Sequence, residues 1–370
     1  MKRRLLLLGV GSGGGNNLIR SLRKSSLDLH LVGTNCLPQC VAKSTADETY
    51  LIPESSSPDY LDHVVGLIKK TKAELVFPTS DREVAAMSRD RDKIPARVFL
   101  PPYDIVSLCQ NKDAFVRTLS QAGKAVPTAV QLTGIDDIET CIAQLPPSEK
   151  YWVRPRRGSG SKGATWVRTA DQARKWIELW VELRGFKADD FQIANFLPGR
   201  DYNVQTIWKN GRLIRATMVE RLTYYGGEQR LSGMSSSPEI AISVRDDAAF
   251  ENVFDAIKTL TPVPHGSFNV DMKGDADGKM HLTEINIGRL PMITTIHDAI
   301  GRTNGAEAYV KCAFDEEDAE ANPIDFTEGV FLFRELDMDP VVIHISELER
   351  RLADPTGKWR EHYPTLAGRF

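Results

Sequence analysis

The first hundred residues alternate apolar runs with helical segments, and this alternation constrains the fold more than any other feature of the chain. Apolar runs at residues 5–10, 29–33 and 75–78 have the length of buried strands, and a glycine turn with a helix at residues 17–23 separates the first two. Residues 60–70 form a further helical pattern with a one-sided apolar stripe of Leu61, Val64, Val65 and Ile68. Such βα repetition predicts a doubly wound parallel sheet covered by helices.

The length of 370 residues predicts several packed units, because a domain usually holds about 100 to 200 residues. We predict an α/β chain with a Rossmann-like N-terminal domain at residues 1–103 and two α+β lobes at residues 104–189 and 190–314. The last segment, residues 315–370, is predicted to be a C-terminal extension that opens with an acidic, solvated linker at residues 315–318. The expected elements of the smaller lobe are a helix at residues 111–122 and strands at 151–154 and 164–168.

Composition and charge exclude several classes of protein. The net charge of −3 and the lack of a Lys/Arg block interleaved with aromatic residues argue against a nucleic-acid partner. No apolar run approaches the roughly 18 residues of a membrane span, and the short run after Met1 reads as a first strand instead of a signal peptide. Five scattered cysteines imply neither a disulfide framework nor a zinc site, so we expect a cytoplasmic protein that acts on small molecules.

Two strands around a turn of glycine and aspartate carry a set of oxygen ligands. Residues 267–273 and 280–286 flank this turn, and we assume that Lys273 pairs with Met280. Period-2 alternation then places one group on a polar face, namely Asn269, Asp271, Glu284 and Asn286, and another on an apolar face, namely Phe268, Val270, Met272 and Ile285. Carboxylate and amide oxygens suit Mg²⁺ that bridges nucleotide phosphates. The alternative is a half-exposed hairpin whose polar face meets water.

A glycine-rich segment at residues 154–163 joins two predicted strands. It is rich in backbone N–H groups and cations that suit a triphosphate, although it lacks the Gly-Lys-Ser/Thr sequence of a Walker A loop. We expect this segment to close over a nucleotide as a flap, and the alternative is a mobile basic surface turn.

A second glycine motif, residues 9–14, follows the first predicted strand and has the G-x-G-x-x-G spacing of dinucleotide-binding turns. The acidic residue expected about 20 residues later is missing, because the second strand ends in Gly33-Thr34-Asn35. Tight packing of the helix on the sheet, or contact with a substrate other than a nucleotide, is therefore favoured over NAD binding.

Taken in order along residues 5–314, five motifs resemble the series of the ATP-grasp superfamily: Asn111-Lys112-Asp113, Arg154-Pro155 with its glycine loop, the segment 197–203, Asn269-Val270-Asp271 and Glu284-Ile285-Asn286. The chain is similar to a single ATP-grasp half of the carbamoyl-phosphate synthetase large chain. The resemblance implies a pre-ATP-grasp N-terminal domain followed by a two-lobed ATP-grasp fold. It also implies an ATP-dependent ligase that joins a carboxylate to an amine through an acyl phosphate and releases ADP and phosphate.

The same resemblance assigns roles to individual residues. The implied nucleotide site comprises Lys112, Arg154, the loop residues Gly158, Ser159, Gly160, Ser161 and Gly163, the adenine-edge residues Asn195, Phe196 and Leu197, and Asp201. The implied Mg²⁺ ligands, with Mn²⁺ as an alternative cation, are Asp271, Glu284 and Asn286, while Arg289 and Arg154 would stabilise the transferring phosphoryl group. Two departures from the family pattern are Asn195, where an acidic residue is usual, and Arg289, which is displaced by one position.

Five further residues are candidates for substrate binding. Thr79, Ser80 and Asp81 follow a strand at the edge where open parallel sheets place ligands, and Arg221 and Arg230 could hold an anionic substrate. The sequence leaves open a carbamoyl-phosphate-synthetase-like acyl-phosphate enzyme, an NAD-dependent oxidoreductase and a nucleotide-binding protein without turnover. A homodimer is the oligomer that we expect.

Overall fold

The computed structural model describes residues 2–156, 162–227, 230, 235, 237–318, 322–335, 339, 341–347 and 368. Over these ranges it has three β-sheets, one parallel and two antiparallel, with helices packed on them. Within the same ranges, no helix combines the length and the apolarity that crossing a bilayer requires.

The N-terminal sheet is parallel throughout, as the alternation of apolar runs predicted. Its order is β3-β2-β1-β4-β5 among the described strands, so the chain reverses direction across the sheet on either side of β1. Its strands are β1 (Arg3–Leu8), β2 (Leu29–Asn35), β3 (Glu48–Leu51), β4 (Leu75–Phe77) and β5 (Arg97–Val98). Its helices are α1 (Gly13–Arg23), α2 (Pro38–Ala42), α3 (Tyr60–Thr71), α4 (Asp81–Arg89) and α5 (Tyr103–Gln110).

The turn between β1 and α1 depends on glycine at two positions. Gly11 has a φ of +75°, and a Cβ there would lie 1.8 Å from the carbonyl oxygen of Cys40. A Cβ on Gly15 would lie 2.4 Å from the carbonyl oxygen of Gly9. Ser12 caps the helix by accepting a hydrogen bond from Gly15 N at 3.1 Å, so α1 begins four residues before the predicted start. Gly15 therefore allows the close approach of α1 to the end of β1, and Gly11 allows the turn to approach α2.

A smaller antiparallel sheet follows, with the order β6-β9-β7-β8 in the described residues. It consists of β6 (Ala129–Gln131), β7 (Tyr151–Pro155), β8 (Thr165–Val167) and β9 (Phe191–Asn195), with the helices α6 (Lys112–Gln121), α7 (Ile138–Ala143) and α8 (Ala170–Arg184). Because β9 pairs with both β6 and β7, this sheet extends past the division that was predicted at residue 189.

The largest sheet is antiparallel and has the described order β14-β13-β10-β11-β12-β15-β16. Its strands are β10 (Asp201–Lys209), β11 (Arg212–Tyr224), β12 (Pro238–Ser243), β13 (Gly266–Gly274), β14 (Met280–Ile287), β15 (Val330–Phe333) and β16 (Val341–His344), and its helices are α9 (Asp247–Leu260), α10 (Thr294–Ile300) and α11 (Gly305–Ala313). Strand β15 pairs with β12, so the segment predicted to be an extension beyond residue 314 completes this sheet instead of leaving it.

The N-terminal sheet and the large lobe share a core. Tyr309 of α11 stacks on Phe77 of β4 with ring centroids 3.9 Å apart, and its hydroxyl donates to the carbonyl oxygen of Phe99 at 2.6 Å. The acidic run at residues 315–318 was predicted to be a solvated linker, but it forms ion pairs with both sheets. Asp315 lies 2.6 Å from Lys209 of β10, and Glu316 lies 2.8 Å from Arg3 of β1. These contacts fix the N-terminal sheet beside the large lobe.

Candidate active site

A cleft of about 630 Å³ is lined by residues from all three sheets. Among its described lining residues are six cations and four carboxylates: Lys112, Arg154, Lys162, Arg221, Lys273 and Arg289, with Asp81, Asp201, Asp271 and Glu284. This set has an excess of two positive charges, which suits a polyphosphate better than a cationic ligand. The cleft collects most of the predicted site residues in one place.

Two predicted phosphate-binding cations flank Glu284. Lys112 is the first residue of α6, whose N-cap Asn111 accepts from Ala114 N at 3.3 Å, and its Nζ lies 3.4 Å from Glu284 Oε2. Arg154 projects from β7, where Gln192 of β9 can accept from its Nε at 2.9 Å once the amide is oriented to match. Burial lowers the pKa of Arg154 and the negative charge of Glu284 opposes that shift. Both cations are thus held in the cleft beside one carboxylate.

The predicted flap lies mostly outside the described residues, since Gly158, Ser159, Gly160 and Ser161 fall in the range 157–161. Lys162, which follows directly, lines the cleft. Gly163 packs behind it with a φ of +70°, and a Cβ there would lie 2.9 Å from Pro155 Cγ. Gly163 therefore supports the base of this segment and does not itself line the cleft.

The end of β9 provides the apolar edge that was predicted for an adenine. Asn195, Phe196 and Leu197 all line the cleft, together with Trp152 of the neighbouring strand. The side-chain oxygen of Asn195 is buried and has no hydrogen-bond partner among the described residues. A buried oxygen without a donor is costly, so a ligand that offers an N–H group there would be stabilised.

Asp201 lies at the centre of a charged cluster on β10 and β11. Its carboxylate accepts from Arg221 Nε at 2.7 Å and from the Tyr224 hydroxyl, and Lys273 Nζ lies 3.3 Å away. Burial by itself would raise the pKa of Asp201, but the positive charges of Arg221 and Lys273 outweigh it and lower the pKa. Asp201, which lines the cleft, is consequently held as a carboxylate.

The register of the β13–β14 hairpin differs from the predicted one. Lys273 pairs with His281 instead of Met280, and a bulge at Thr283 brings Asp271 opposite Glu284 and Asn269 opposite Asn286. The prediction was wrong here because alternation fixes faces but not a bulge. The apolar face is as predicted, since Phe268, Val270, Met272 and Ile285 are all buried in the core.

Three predicted metal ligands meet at this hairpin. Asp271 Oδ1 accepts from Asn203 Nδ2 at 2.8 Å and lies 3.0 Å from Arg221 NH1, and its Oδ2 accepts from Asn286 Nδ2 at 3.1 Å. Burial raises the pKa of Asp271, and the nearby charge of Glu284 adds to the shift while Arg221 opposes it. An added cation would relieve this repulsion between carboxylates.

These donors fit a hard divalent cation in part. Asp271 Oδ2 keeps a lone pair, and the Glu284 carboxylate faces the cleft, so two carboxylates are available. In the described ranges, no group of three or more His, Cys, Asp and Glu that could hold a metal occurs. The amide oxygen of Asn286 accepts from Arg289, so Arg289 competes with a cation for that atom.

Arg289 connects the hairpin to the N-terminal sheet. Its Nε donates to Asp81 Oδ1 at 2.6 Å, and burial, which lowers its pKa, is outweighed by the Asp81 charge that raises it. Asp81 begins α4, and Thr79 and Ser80 precede it at the carboxyl end of β4, where all three line the cleft. The cation predicted for phosphoryl transfer and the predicted substrate residues are thus adjacent.

The structure does not bring every predicted residue to the cleft as a free group. Arg230 is exposed and does not line it. Arg221 does, but its guanidinium is shared between Asp201 and Asp271 and is thus not free to grip an anion. Asn269, predicted on the ligand face, is fully buried because the chain after β14 folds over it and its amide donates to the carbonyl oxygen of Arg289.

One cleft residue, Lys273, and two buried residues behind the cleft, Thr217 and His297, were missed. Lys273 reaches Asp201, and Asn203 links Asp271 to His297 and Thr217. Asn203 falls in the predicted motif segment 197–203, but no spacing signals His297, because it reaches the site from α10 through tertiary packing.

Comparison with known proteins came from both sequence and structure. The family "PylC-like, N-terminal domain" matches residues 5–97, and no curated protein matches in sequence. The chain is similar to an L-amino acid ligase from Bacillus licheniformis, with 12% identity, a TM-score of 0.66 and coverage of 90% of this chain and 79% of that one.

Two other solved structures extend this likeness. N5-carboxyaminoimidazole synthetase from Staphylococcus aureus complexed with ADP has 14% identity and a TM-score of 0.67 over 98% of this chain and 87% of that one. The biotin carboxylase domain of the Hydrogenobacter thermophilus 2-oxoglutarate carboxylase has 14% identity and a TM-score of 0.69 over 90% and 74%. At such identities the likeness establishes the fold and not the substrate. The chain has the ATP-grasp fold, as the ordered motif series predicted.

Proposed function

We propose that this protein is an ATP-dependent ligase that joins a carboxylate to an amine through an acyl phosphate. The observation that supports this most is the position of Arg289, which contacts the carboxylate and amide hairpin through Asn286 and the N-terminal sheet through Asp81. A phosphate held at the hairpin and an acceptor held at the sheet would meet at this guanidinium. The names of the similar proteins, an amino acid ligase among them, agree with such a reaction.

The nucleotide is proposed to lie between the small sheet and the hairpin. Its base would contact Phe196 and Leu197 and offer an N–H group to the partnerless oxygen of Asn195. Lys112 and Arg154 would neutralise the phosphates beside Glu284. Magnesium held by Asp271 and Glu284 would neutralise charge on the transferring phosphoryl group, and Mn²⁺ is proposed as a substitute.

In the proposed reaction, a carboxylate oxygen of the first substrate attacks the γ-phosphorus, and the bond from that phosphorus to the bridging oxygen breaks, so that ADP leaves with the electron pair. The amine nitrogen of the second substrate then attacks the acyl carbon. The C–O bond to phosphate breaks, phosphate departs with one oxygen of the original carboxylate, and the nitrogen loses its proton. Arg289 would stabilise charge on the acyl phosphate, and positioning supplies most of the rate.

The amine is proposed to enter from a side cavity of about 230 Å³ that shares Ser12, Thr79 and Ser80 with the main cleft. This cavity lies at the carboxyl edge of the parallel sheet, where the strand order reverses. Glu83 lines it and accepts from Ser80 N at 3.1 Å. The Tyr60 hydroxyl is buried there without a partner in the described part of the chain. A carboxylate and an unused hydroxyl suit an amino group.

The decisive experiment measures ADP release by the purified protein with Mg²⁺ and pools of carboxylates and amines. The proposal expects ADP, and a product with the summed mass of the two substrates less water, only when both pools are present. ADP release that needs no amine would favour a carbamoyl-phosphate-synthetase-like enzyme instead, and absence of ATP binding would overturn the proposal. We also propose that the protein is cytoplasmic. We propose in addition that it is a homodimer, and light scattering of the purified protein tests its molar mass.

A further inference from the structure

A chain of hydrogen bonds runs from the buried interior of the large lobe to the Asp271 carboxylate. Its members lie outside the cleft until the last two: Arg215, Thr217, His297, Asn203 and Asp271. Arg215 NH1 lies 3.1 Å from Thr217 Oγ1, which lies 2.8 Å from His297 Nδ1. His297 Nε2 lies 2.9 Å from Asn203 Oδ1, and Asn203 Nδ2 lies 2.8 Å from Asp271 Oδ1.

The direction of every bond in this chain is determined by its two ends. Arg215 can only donate, and Asp271 acts as an acceptor because it also receives donors from Arg221 and Asn286. Asn203 must therefore turn its NH₂ group towards Asp271 and its oxygen towards His297. That oxygen needs a proton on His297 Nε2, and Thr217, which accepts from Arg215, donates its own proton to His297 Nδ1.

The surroundings of His297 leave it no alternative orientation. The side chain is fully buried, and the carbonyl oxygen of the same residue accepts from Arg215 NH2. Protons on both ring nitrogens would place a positive charge in this buried position, and burial together with the charges of Arg215 and Arg221 lowers the pKa of His297. A buried polar group whose every bond is satisfied in one direction is held in one tautomer.

We propose that His297 is a positioning residue for Asp271, acting as a neutral imidazole with its proton on Nε2. By fixing the amide of Asn203, it holds Asp271 Oδ1 and leaves Oδ2 directed at the site proposed for the cation. This inference deepens the proposed function and rests on it for the identity of the ligand. The tautomer, in contrast, follows from the chain of contacts alone.

The tautomer is tested by ¹⁵N NMR of the histidine-labelled protein without nucleotide. The His297 resonance is assigned by its loss in His297→Gln. We expect a protonated Nε2 and an unprotonated Nδ1 across the neutral pH range. A proton on Nδ1, or an imidazolium, would overturn the proposal whatever reaction the enzyme performs.

The positioning role is tested by the Mg²⁺ concentration that gives half-maximal ATP binding in calorimetry. His297→Gln keeps a donor near the Nε2 position and should stay close to the unsubstituted protein, whereas His297→Met should need about 10- to 100-fold more Mg²⁺. Thr217→Val, a milder change, should shift the requirement in the same direction. The control is Thr206→Val. Thr206 is a buried threonine on β10, on the face of the sheet opposite to Asn203, and its hydroxyl donates to Phe268 O at 2.9 Å.

Thr206→Val should lower stability without changing the Mg²⁺ requirement. Equal Mg²⁺ requirements in His297→Met and the unsubstituted protein would refute the positioning role, even though ATP binding itself was intact. If the unsubstituted protein does not bind ATP, the proposed function is wrong instead. The failure of the positioning role and the failure of the proposed function are therefore distinguishable.

Discussion

Replacing Arg221 by methionine should destabilise the protein by about 3 to 5 kcal/mol, because it leaves two buried carboxylates without their shared cation. The side chains of Arg221, Asp201 and Asp271 are only 15%, 7% and 16% exposed. Each of the two ion pairs, with charges about 3 Å apart, is worth about 5 kcal/mol at an effective dielectric constant of about 20. The substitution also removes the cost of burying the Arg221 charge, and this gain offsets part of the lost attraction.

The effect should depend on pH in a defined direction. In the unsubstituted protein Arg221 lowers the pKa of Asp201 below the ordinary value of 3.8, so the stability from this group is present above that value and is lost only at lower pH. In Arg221→Met, both carboxyls should have raised pKa values. A carboxyl group with a raised pKa in the folded protein contributes stability at low pH, and this contribution is lost as the pH rises through that pKa. The difference in the free energy of unfolding between the unsubstituted protein and Arg221→Met should therefore shrink as the pH falls from about 8 to about 5.

Urea unfolding followed by circular dichroism at these two pH values measures the deficit. The matched control is Arg82→Met, since Arg82 pairs with Glu54 at the surface, where the two side chains are 72% and 57% exposed. This control should cost no more than about 1 kcal/mol at either pH. A deficit for Arg221→Met as small as that of the control, or one that grows at acidic pH, would refute the reasoning.

Three further predictions concern single residues. Glu83→Gln keeps an oxygen that accepts from the Ser80 amide, and it should raise the KM for the amine about tenfold while leaving the KM for ATP unchanged. A change in the KM for ATP alone would contradict the assignment of the side cavity to the amine. Arg289→Lys should lower kcat about 100-fold in the ADP-release assay, whereas Arg245→Lys, at an exposed pair with Asp247, should not; equal kcat values would contradict a role in transfer. Gly15→Ala should reduce the free energy of unfolding by about 1 to 3 kcal/mol in urea, because its Cβ would strike Gly9, whereas Gly14→Ala, with open space, should not; a neutral Gly15→Ala would show that the turn can relax.

Much of the fold follows from local patterns in the sequence. The parallel N-terminal sheet was predictable because β1, β2 and β4 are apolar runs separated by helices, and their edges agree with the structure to within two residues. The order of the sheet and the pairing of β9 and β15 were not, because those contacts join segments far apart in sequence. Local propensity carries no information about such pairings.

The candidate site divides in the same way. Glu284, Asp271 and Lys112 could be found from a hairpin and an ordered motif series, and the structure places them in one cleft. The bulge at Thr283, which sets Asp271 opposite Glu284, has no signature in the sequence. Nor has the contact of His297 with Asn203, because it depends on how α10 packs beneath β10 and β11.

The measurement that tests the central claim most directly follows oxygen from the carboxylate substrate into phosphate. The protein is incubated with ATP, Mg²⁺, an amine and a carboxylate labelled with ¹⁸O at both oxygens, and the released phosphate is analysed by mass spectrometry. An acyl-phosphate ligase transfers one labelled oxygen to each phosphate, together with one ADP for each product molecule. Unlabelled phosphate, or AMP and pyrophosphate in place of ADP and phosphate, would contradict the proposed reaction.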